Sequence, residues 1–293
     1  MKDFELKLFN ATIGENTKQK VERFILFISV ISFFVHLALI YLAKANILSI
    51  DDSHGLLSSP IAAIYTPFSF ILAYEIYLLI YYLPRSITTY ISKQYEIITL
   101  IIIRRIFKDI SNLDLSQSLF SNEANTQIFI DLGTSLILFL LIYLFRRNSL
   151  KFISPSNTEN LERFIKIKKW MSALLVPIVI ILASYHFISW VSGVFETPLL
   201  NTQMISINNL FFDELFQLLI IVDVLLLLFS FFNSDLFHKI MRNSGFIIST
   251  ILIRVSFFTD GISNVILIIS SLLFGLLILI IYNECEKREL FKS

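Results

Sequence analysis

The sequence predicts an all-α, polytopic membrane protein with eight transmembrane helices in two parallel-oriented four-helix repeats. Three observations support this class. Hydrophobic residues make up 56% of the 293 residues and charged residues only 16%, which is too little charge for the surface of a soluble domain of this length. Apolar runs of about 20 residues, the length that a bilayer requires, recur along the chain. Ionisable residues inside these runs repeat at a nearly constant spacing.

The first half, residues 1–147, is predicted to hold a cytoplasmic N-terminal segment and four membrane helices. The helices are expected at about 24–43, 60–83, 91–107 and 128–145. Pro60 suits the first turn of the second helix, and Pro84 suits a stop after it. The third helix is short and carries four charged residues, Lys93, Glu96, Arg104 and Arg105. A re-entrant segment is therefore an alternative to a full crossing for this helix.

Residues 148–169 are predicted to be a basic cytoplasmic linker between the halves. Its last part intersperses the apolar Leu161, Phe164 and Ile165 with the basic Lys166, Lys168 and Lys169, just before Trp170. This pattern is typical of an amphipathic helix that lies on an anionic membrane surface. A solvated connector with the usual basic flank of a membrane helix fits the pattern equally well.

The second half, residues 170–293, is predicted to hold four more membrane helices and a cytoplasmic tail. The helices are expected at about 171–190, 210–232, 245–258 and 262–282. Basic residues give the orientation, because cytoplasmic loops carry an excess of Lys and Arg. If eight helices alternate from a cytoplasmic N-terminus, nineteen of the 24 basic residues lie inside; the others are Lys44, Arg104, Arg105, Lys108 and Arg254. A re-entrant third helix would move the basic linker outside, so we expect both short helices to cross.

Four pairs of ionisable residues repeat between the halves at offsets of 150, 148, 150 and 151 residues. The pairs are His36 with His186, Glu75 with Asp223, Arg104 with Arg254, and Asp109 with Asp260. So narrow a window of offsets indicates a tandem duplication. Since each unit has an even number of spans, both copies have the same orientation, and the axis relating them runs along the membrane normal. We expect the two halves to pack with equivalent helices facing each other.

Charged residues at membrane depth are costly, and opposite charges on neighbouring helices predict ion pairs. A rise of about 1.5 Å per residue places Asp223 and Arg254 both roughly 14 Å from the inner end. The sequence therefore predicts that Asp223 meets Arg254, and that Glu75 meets Arg104 or Arg105. These pairs either fix one helix to the next or line a proton or ion path. His36 and His186 are either packed, hydrogen-bonded residues or members of that path.

Each half, and the second more closely, resembles the phosphate-starvation-inducible E (PsiE) family of small four-helix bacterial membrane proteins. The resemblance rests on an acid within the second helix of each unit (Glu75, Asp223), the polar turn 238–242, Arg254, and an acid just beyond it (Asp260). It covers about 210–288 in the second half and only about 73–110 in the first. The resemblance implies a bacterial inner-membrane protein linked to nutrient stress, with no enzymatic activity. The family usually has one unit per chain, and two fused units depart from that pattern.

Several chemistries are not indicated by the sequence. No glycine-rich phosphate loop, HExxH motif or catalytic Ser–His–Asp pattern is present, and Cys285 is the single cysteine, so we expect no catalytic residues, cofactor, metal site or nucleic-acid partner. The absence of GxxxG predicts that the helices pack through Phe, Leu and Ile side chains. Two functions remain: a sensor or scaffold whose basic inner surface binds anionic headgroups, a protein partner or a second copy, and a proton or small-ion transporter with a path between the repeats.

Overall fold

The computed structural model describes residues 9, 11–45, 60–111, 123–149, 158–196, 207–231, 236–259 and 261–288. Every regular element in this part of the chain is helical. In chain order the α-helices are α1 (Glu15–Lys44), α2 (Tyr65–Tyr81), α3 (Ile87–Ser111), α4 (Glu123–Ser149), α5 (Thr158–Glu196), α6 (Ile207–Phe231), α7 (Phe237–Ser256) and α8 (Gly261–Lys287). A short 3₁₀ helix, Pro60–Ile64, leads into α2.

Local chemistry explains two of the tight connections. Between α2 and α3, Ser86 accepts a hydrogen bond from the backbone N–H of Thr89 at 3.2 Å through its side-chain oxygen. This is the usual way in which a serine satisfies a free amide in the first turn of a helix. Between α7 and α8, Gly261 has a φ of 61°, a left-handed conformation that glycine adopts without steric cost. Both turns hold consecutive helices antiparallel and adjacent.

Five of the described helices are long and apolar enough to cross a bilayer, judged by length and composition. The qualifying segments are Glu15–Lys44, Thr126–Ser149, Phe164–Tyr185, Glu214–Phe231 and Gly261–Lys287. The apolar part of α2, Thr66–Tyr81, is shorter. The length and apolar composition of these five helices indicate a membrane-embedded protein. The crossing of the bilayer by α2, α3 and α7, and with it the total of eight spans, stays a prediction.

The helices pack with the same neighbours in both halves. In the first half α1 contacts α2, α2 contacts α3 and α3 contacts α4; in the second half α5 contacts α6, α6 contacts α7 and α7 contacts α8. Between the halves α3 packs on α7 and α4 packs on α8, and α2 also contacts α5. Most of the buried apolar side chains of both halves form one core cluster. We call the surface between α3–α4 and α7–α8 the seam.

The helix ends that the sequence assigns to the cytoplasmic side meet at one end of the bundle. Arg85, in the turn before α3, lies 3.8 Å from Glu15 of α1, and its carbonyl accepts a hydrogen bond from Lys168 of α5 at 2.9 Å. Near the C-terminal end of α8, Asn283 donates to the carbonyl of Asn148 in α4 at 2.8 Å. These contacts fit helices that alternate in direction.

The tightest helix pair is α7 with α8, and it differs from the expected packing. Ser249 and Ser271 exchange hydrogen bonds with each other's backbone carbonyls, both at 2.8 Å. A Cβ atom added to Gly275 would lie 1.9 Å from the Tyr95 hydroxyl, and one added to Gly245 would lie 2.7 Å from Ile278. Small residues four apart therefore line both helices, as in small-xxx-small membrane interfaces. The expectation that packing uses only large apolar side chains is wrong for this pair.

The helical part of the basic linker does not form a separate helix on the membrane surface. Its helical part belongs to α5, which runs without interruption from Thr158 to Glu196 and contains Pro177. Residues 150–157 lie outside the described part. The predicted boundary at residue 170 therefore falls inside one continuous helix.

Candidate functional site

The predicted pair of Asp223 and Arg254 is present and deeply buried. The two side chains are 0% and 1% exposed, and Arg254 Nη1 donates to Asp223 Oδ2. The same nitrogen donates to the carbonyl of Leu219 at 2.7 Å, one helical turn before Asp223. Thr250, one turn before Arg254 on α7, donates to Asp223 Oδ2 at 2.7 Å. The pair thus fixes α6 to α7 with charge-assisted hydrogen bonds.

Two residues of the first half complete this group. Tyr90 of α3 donates from its hydroxyl to Asp223 Oδ1 at 2.9 Å. Arg254 Nη2 donates to the Tyr90 hydroxyl at 3.3 Å and to Gln94 Oε1 at 3.4 Å. We call Asp223, Arg254, Thr250, Tyr90 and Gln94 the Asp223 network. It links the halves across the seam, a role that the sequence-based pairing within one unit did not predict.

A second polar group also spans the halves, and it corrects the predicted pairing of Arg105. Arg105 of α3 donates to both oxygens of Asp131 in α4, at 2.7 and 2.8 Å, and not to Glu75. It also donates to Asn264 of α8 at 3.2 Å, and Gln127 donates to Asp131 at 2.9 Å. We call these four residues the Arg105 cluster. Asp131 is 0% exposed. Its position inside a predicted span is the sequence feature that could have identified it as a buried, paired residue.

Glu75 has no ion pair within the described chain, although it is only 3% exposed. Its Oε2 atom has no hydrogen-bond partner there. Arg104, the other predicted partner, interacts with Glu75 electrostatically, but its Nη1 reaches the carbonyl of Phe68 at 3.5 Å. The predicted contact between Glu75 and an arginine is therefore wrong in this structure. Sequence spacing gives the depth of a residue along its helix. It does not give the direction in which the side chain points around the helix axis, and this direction separates Glu75 from the arginines.

The secondary polar residues are spread over different places. His36 of α1 contacts the Thr66 hydroxyl of α2 through Nδ1, so it joins two helices of the first half. His186 lies on α5 and Asp109 on α3, at positions whose side chains are outside the described part. Asp260 lies outside the described residues altogether. The predicted equivalence of these positions therefore remains a prediction.

The predicted membrane-surface lysines fall into two groups. Lys166 and Lys169 are exposed, and the Lys169 ammonium lies 5.2 Å from the centroid of the Phe9 ring. Lys168 is 2% exposed, binds the Arg85 carbonyl, and interacts electrostatically with Asp223. Lys168 is therefore turned into the bundle, because it lies on the inward face of α5.

The sequence analysis missed a polar group at the ends of α7 and α8. His238 Nε2 lies 2.9 Å from Glu286 Oε2, and both side chains are buried. Beside them the Arg242 guanidinium lies 4.3 Å from the centroid of the Tyr282 ring. Burial lowers the pKa of Arg242 from its ordinary value, and Tyr282 and Glu286 offset part of that shift. The segment 238–242, expected from the sequence to be a turn, is the start of α7 in the structure, and α8 packs against it.

Comparison with family models, with curated proteins and with solved structures finds no match. The resemblance to the PsiE family therefore stays a prediction from the residues quoted above. Within the described residues, no group of three or more His, Cys, Asp or Glu side chains is placed to hold a metal ion.

Proposed function

We propose that this chain is a non-enzymatic integral membrane protein, a stress-linked sensor or scaffold of the PsiE type. The observation that carries this proposal is the Asp223 network. Its ion pair is almost fully excluded from solvent, and both carboxylate oxygens of Asp223 are occupied by donors. Gln94 Nε2 is the one atom of the network without a hydrogen-bond partner in the described chain. A closed polar network whose ion pair is satisfied fixes helices in one arrangement. A conducting path needs groups that water or ions can reach, so the closed network favours a scaffold.

We further propose that the chain has eight spans in two parallel four-helix repeats in the bacterial inner membrane, with both termini cytoplasmic. The matching neighbour pattern of the two halves supports the duplication, as does the seam, which pairs α3 with α7 and α4 with α8. These are third and fourth helices of their units, so equivalent helices face each other. Such an arrangement is that of a fused two-fold dimer.

The basic end of the bundle is the proposed partner surface. Lys166 and Lys169 are exposed there, and a juxtamembrane lysine near anionic lipids is worth about 1 kcal/mol of attraction. Anionic headgroups are the proposed partner. Charge reversal at both positions should reduce the anionic lipid that remains bound to the purified protein in native mass spectrometry. A protein partner or a second copy at this surface would instead leave lipid binding unchanged.

Two measurements test the proposed function. Purified protein in vesicles under a pH gradient should give no more proton or cation flux than empty vesicles. Quantitative proteomics of the source organism should show more of the protein under phosphate limitation than in phosphate-rich medium. Flux that requires the protein would overturn the scaffold proposal, and unchanged abundance would remove the link to phosphate stress.

One observation favours the second candidate, a proton or small-ion transporter. Glu75 is a buried carboxyl group without an ion-pair partner in the described chain, and intramembrane carboxyl groups are common members of proton relays. If the chain transports protons, Glu75→Gln should abolish the flux. Asp131→Asn is the matched control, because it removes a buried carboxylate that is already fully paired with Arg105.

A further inference from the structure

Glu75 is the only charged residue on α2. The helix is enclosed by α1, α3, α5 and the 3₁₀ helix Pro60–Ile64, and Glu75 faces this interior because it is 3% exposed. Its Oε2 atom meets no hydrogen-bond donor in the described chain. A carboxylate in such a place must either be ionised without compensation or carry a proton.

Two other buried carboxyl groups of the bundle provide the comparison. Asp223 accepts hydrogen bonds from Tyr90, Thr250 and Arg254. Asp131 accepts two from Arg105 and one from Gln127. Each of these acids therefore has an arginine and further donors that stabilise the negative charge. Glu75 is the contrasting case: it is 3% exposed, it has no ion pair within the described chain, and its Oε2 atom meets no hydrogen-bond donor there.

The charged side chains of the helices around α2 do not supply the missing compensation. Among the described residues, Arg104 of α3 acts electrostatically on Glu75, but its Nη1 reaches the carbonyl of Phe68 and makes no ion pair with the carboxyl group. Glu22 of α1 accepts a hydrogen bond from Tyr74 at 2.8 Å. Lys168 of α5 donates to the Arg85 carbonyl. The 3₁₀ helix Pro60–Ile64 carries no ionisable side chain.

The energetic difference between the two forms decides the protonation state. An unpaired buried ion costs several kcal/mol even after relaxation of its surroundings. A neutral carboxylic acid is much cheaper to bury, because only its polar group is desolvated. We propose that Glu75 holds a proton in the folded protein at neutral pH, and that it is the residue which a lipid-soluble carbodiimide modifies.

The chemistry of the modification depends on that proton. The protonated acid adds across one C=N bond of the carbodiimide: the proton goes to nitrogen, and a carboxyl oxygen bonds to the central carbon. The resulting O-acylisourea rearranges when the acyl group moves to nitrogen, which gives a stable N-acylurea. No group leaves, so the protein gains the mass of one reagent molecule. Ionised Asp223 and Asp131 lack the proton for the first step.

Infrared spectroscopy of the full chain in lipid tests the proton directly. We expect a carboxylic-acid C=O band at neutral pH that shifts in D₂O and is lost in Glu75→Gln. The matched control Asp131→Asn should keep the band, since it removes an ionised group. Glu75→Asp, which keeps the acid, should also keep it. A wild-type spectrum without the band, or a band unaffected by Glu75→Gln, would overturn the proton assignment.

Labelling tests the modification in the same samples. After treatment with dicyclohexylcarbodiimide, peptide mapping by mass spectrometry should place the added mass on Glu75, with loss of labelling in Glu75→Gln. A label on Asp223 or Asp131, or no label while the acid band is present, would contradict the modification. The inference holds for a scaffold and for a transporter alike. Its failure is therefore distinguishable from the result of the flux measurement.

Discussion

Neutralising Asp223 should destabilise the folded protein severely. The change Asp223→Asn removes the negative charge that compensates Arg254, which is 1% exposed. It also replaces one acceptor oxygen by an NH₂ group. Since Tyr90, Thr250 and Arg254 all donate to Asp223, the new group faces a donor whichever way the amide turns. Breaking one side of a buried ion pair typically costs about 3–5 kcal/mol, and we expect a loss in this range.

The double variant separates the ion pair from general damage. In Asp223→Asn combined with Arg254→Gln, neither charge remains buried, and the two amides can hydrogen-bond to each other. We therefore expect the double variant to be more stable than the sum of the single losses predicts, with a coupling of about 0.5–3 kcal/mol. Tyr90→Phe is the test of the seam contact and should cost about 1.5–3 kcal/mol, because it removes a hydrogen bond to a charged group.

The measurement is equilibrium unfolding of each variant in mixed micelles by denaturing detergent, followed by the loss of helical circular dichroism. All variants must be compared in the same detergent and lipid, because these set the unfolded reference state. Additive losses for Asp223→Asn and Arg254→Gln would show that the two residues do not interact. No effect of Tyr90→Phe would show that the first half does not contribute to the network.

Two further predictions concern helix packing and topology. Gly275→Ala should destabilise the fold by about 1–3 kcal/mol through overpacking against the Tyr95 hydroxyl, and Tyr95→Phe should recover part of that loss. Gly133→Ala is the matched control, because nothing lies within 4 Å of a Cβ atom there, and the same unfolding titration should show a small change. Cysteine labelling from outside the cell should modify a cysteine at Thr202 and not one at Ser156; the reverse pattern would exclude the proposed topology.

Composition and apolar periodicity were sufficient to predict the helical membrane class and the approximate positions of α1 to α8. Each predicted span overlaps one helix of the structure, with Pro60 opening the 3₁₀ helix before α2 and Pro84 following the end of α2. The Asp223–Arg254 pair was also predictable, because both residues stand at the same depth on consecutive helices. These predictions depend on distance along a helix, and sequence spacing gives that distance directly.

Rotation about the helix axis accounts for the predictions that failed. Consecutive residues on a helix differ by about 100° in direction, so Arg104 and Arg105 cannot serve the same neighbour. Arg105 is directed to α4 and α8, where it binds the buried Asp131. Glu75 is left with the electrostatic influence of Arg104 and no ion pair with either arginine. Lys168 is a similar case, since the amphipathic pattern around it did not show which face of α5 would be covered by α2 and α6. These outcomes depend on which helices become neighbours.

α3 is less apolar than the other helices, but this does not argue against the prediction that it crosses the membrane. Its polar residues Tyr90, Gln94 and Arg105 lie within about 60° of one another around the axis, at 3.6 residues per turn. That face is directed at the second half, where Arg254 and Asn264 supply the partners. Ionisable residues in membrane helices are tolerated when they point into the bundle and are paired. The helix that composition makes least suited to lipid thus carries residues of both the Asp223 network and the Arg105 cluster, and exclusion of α3 from the bilayer would require breaking both groups.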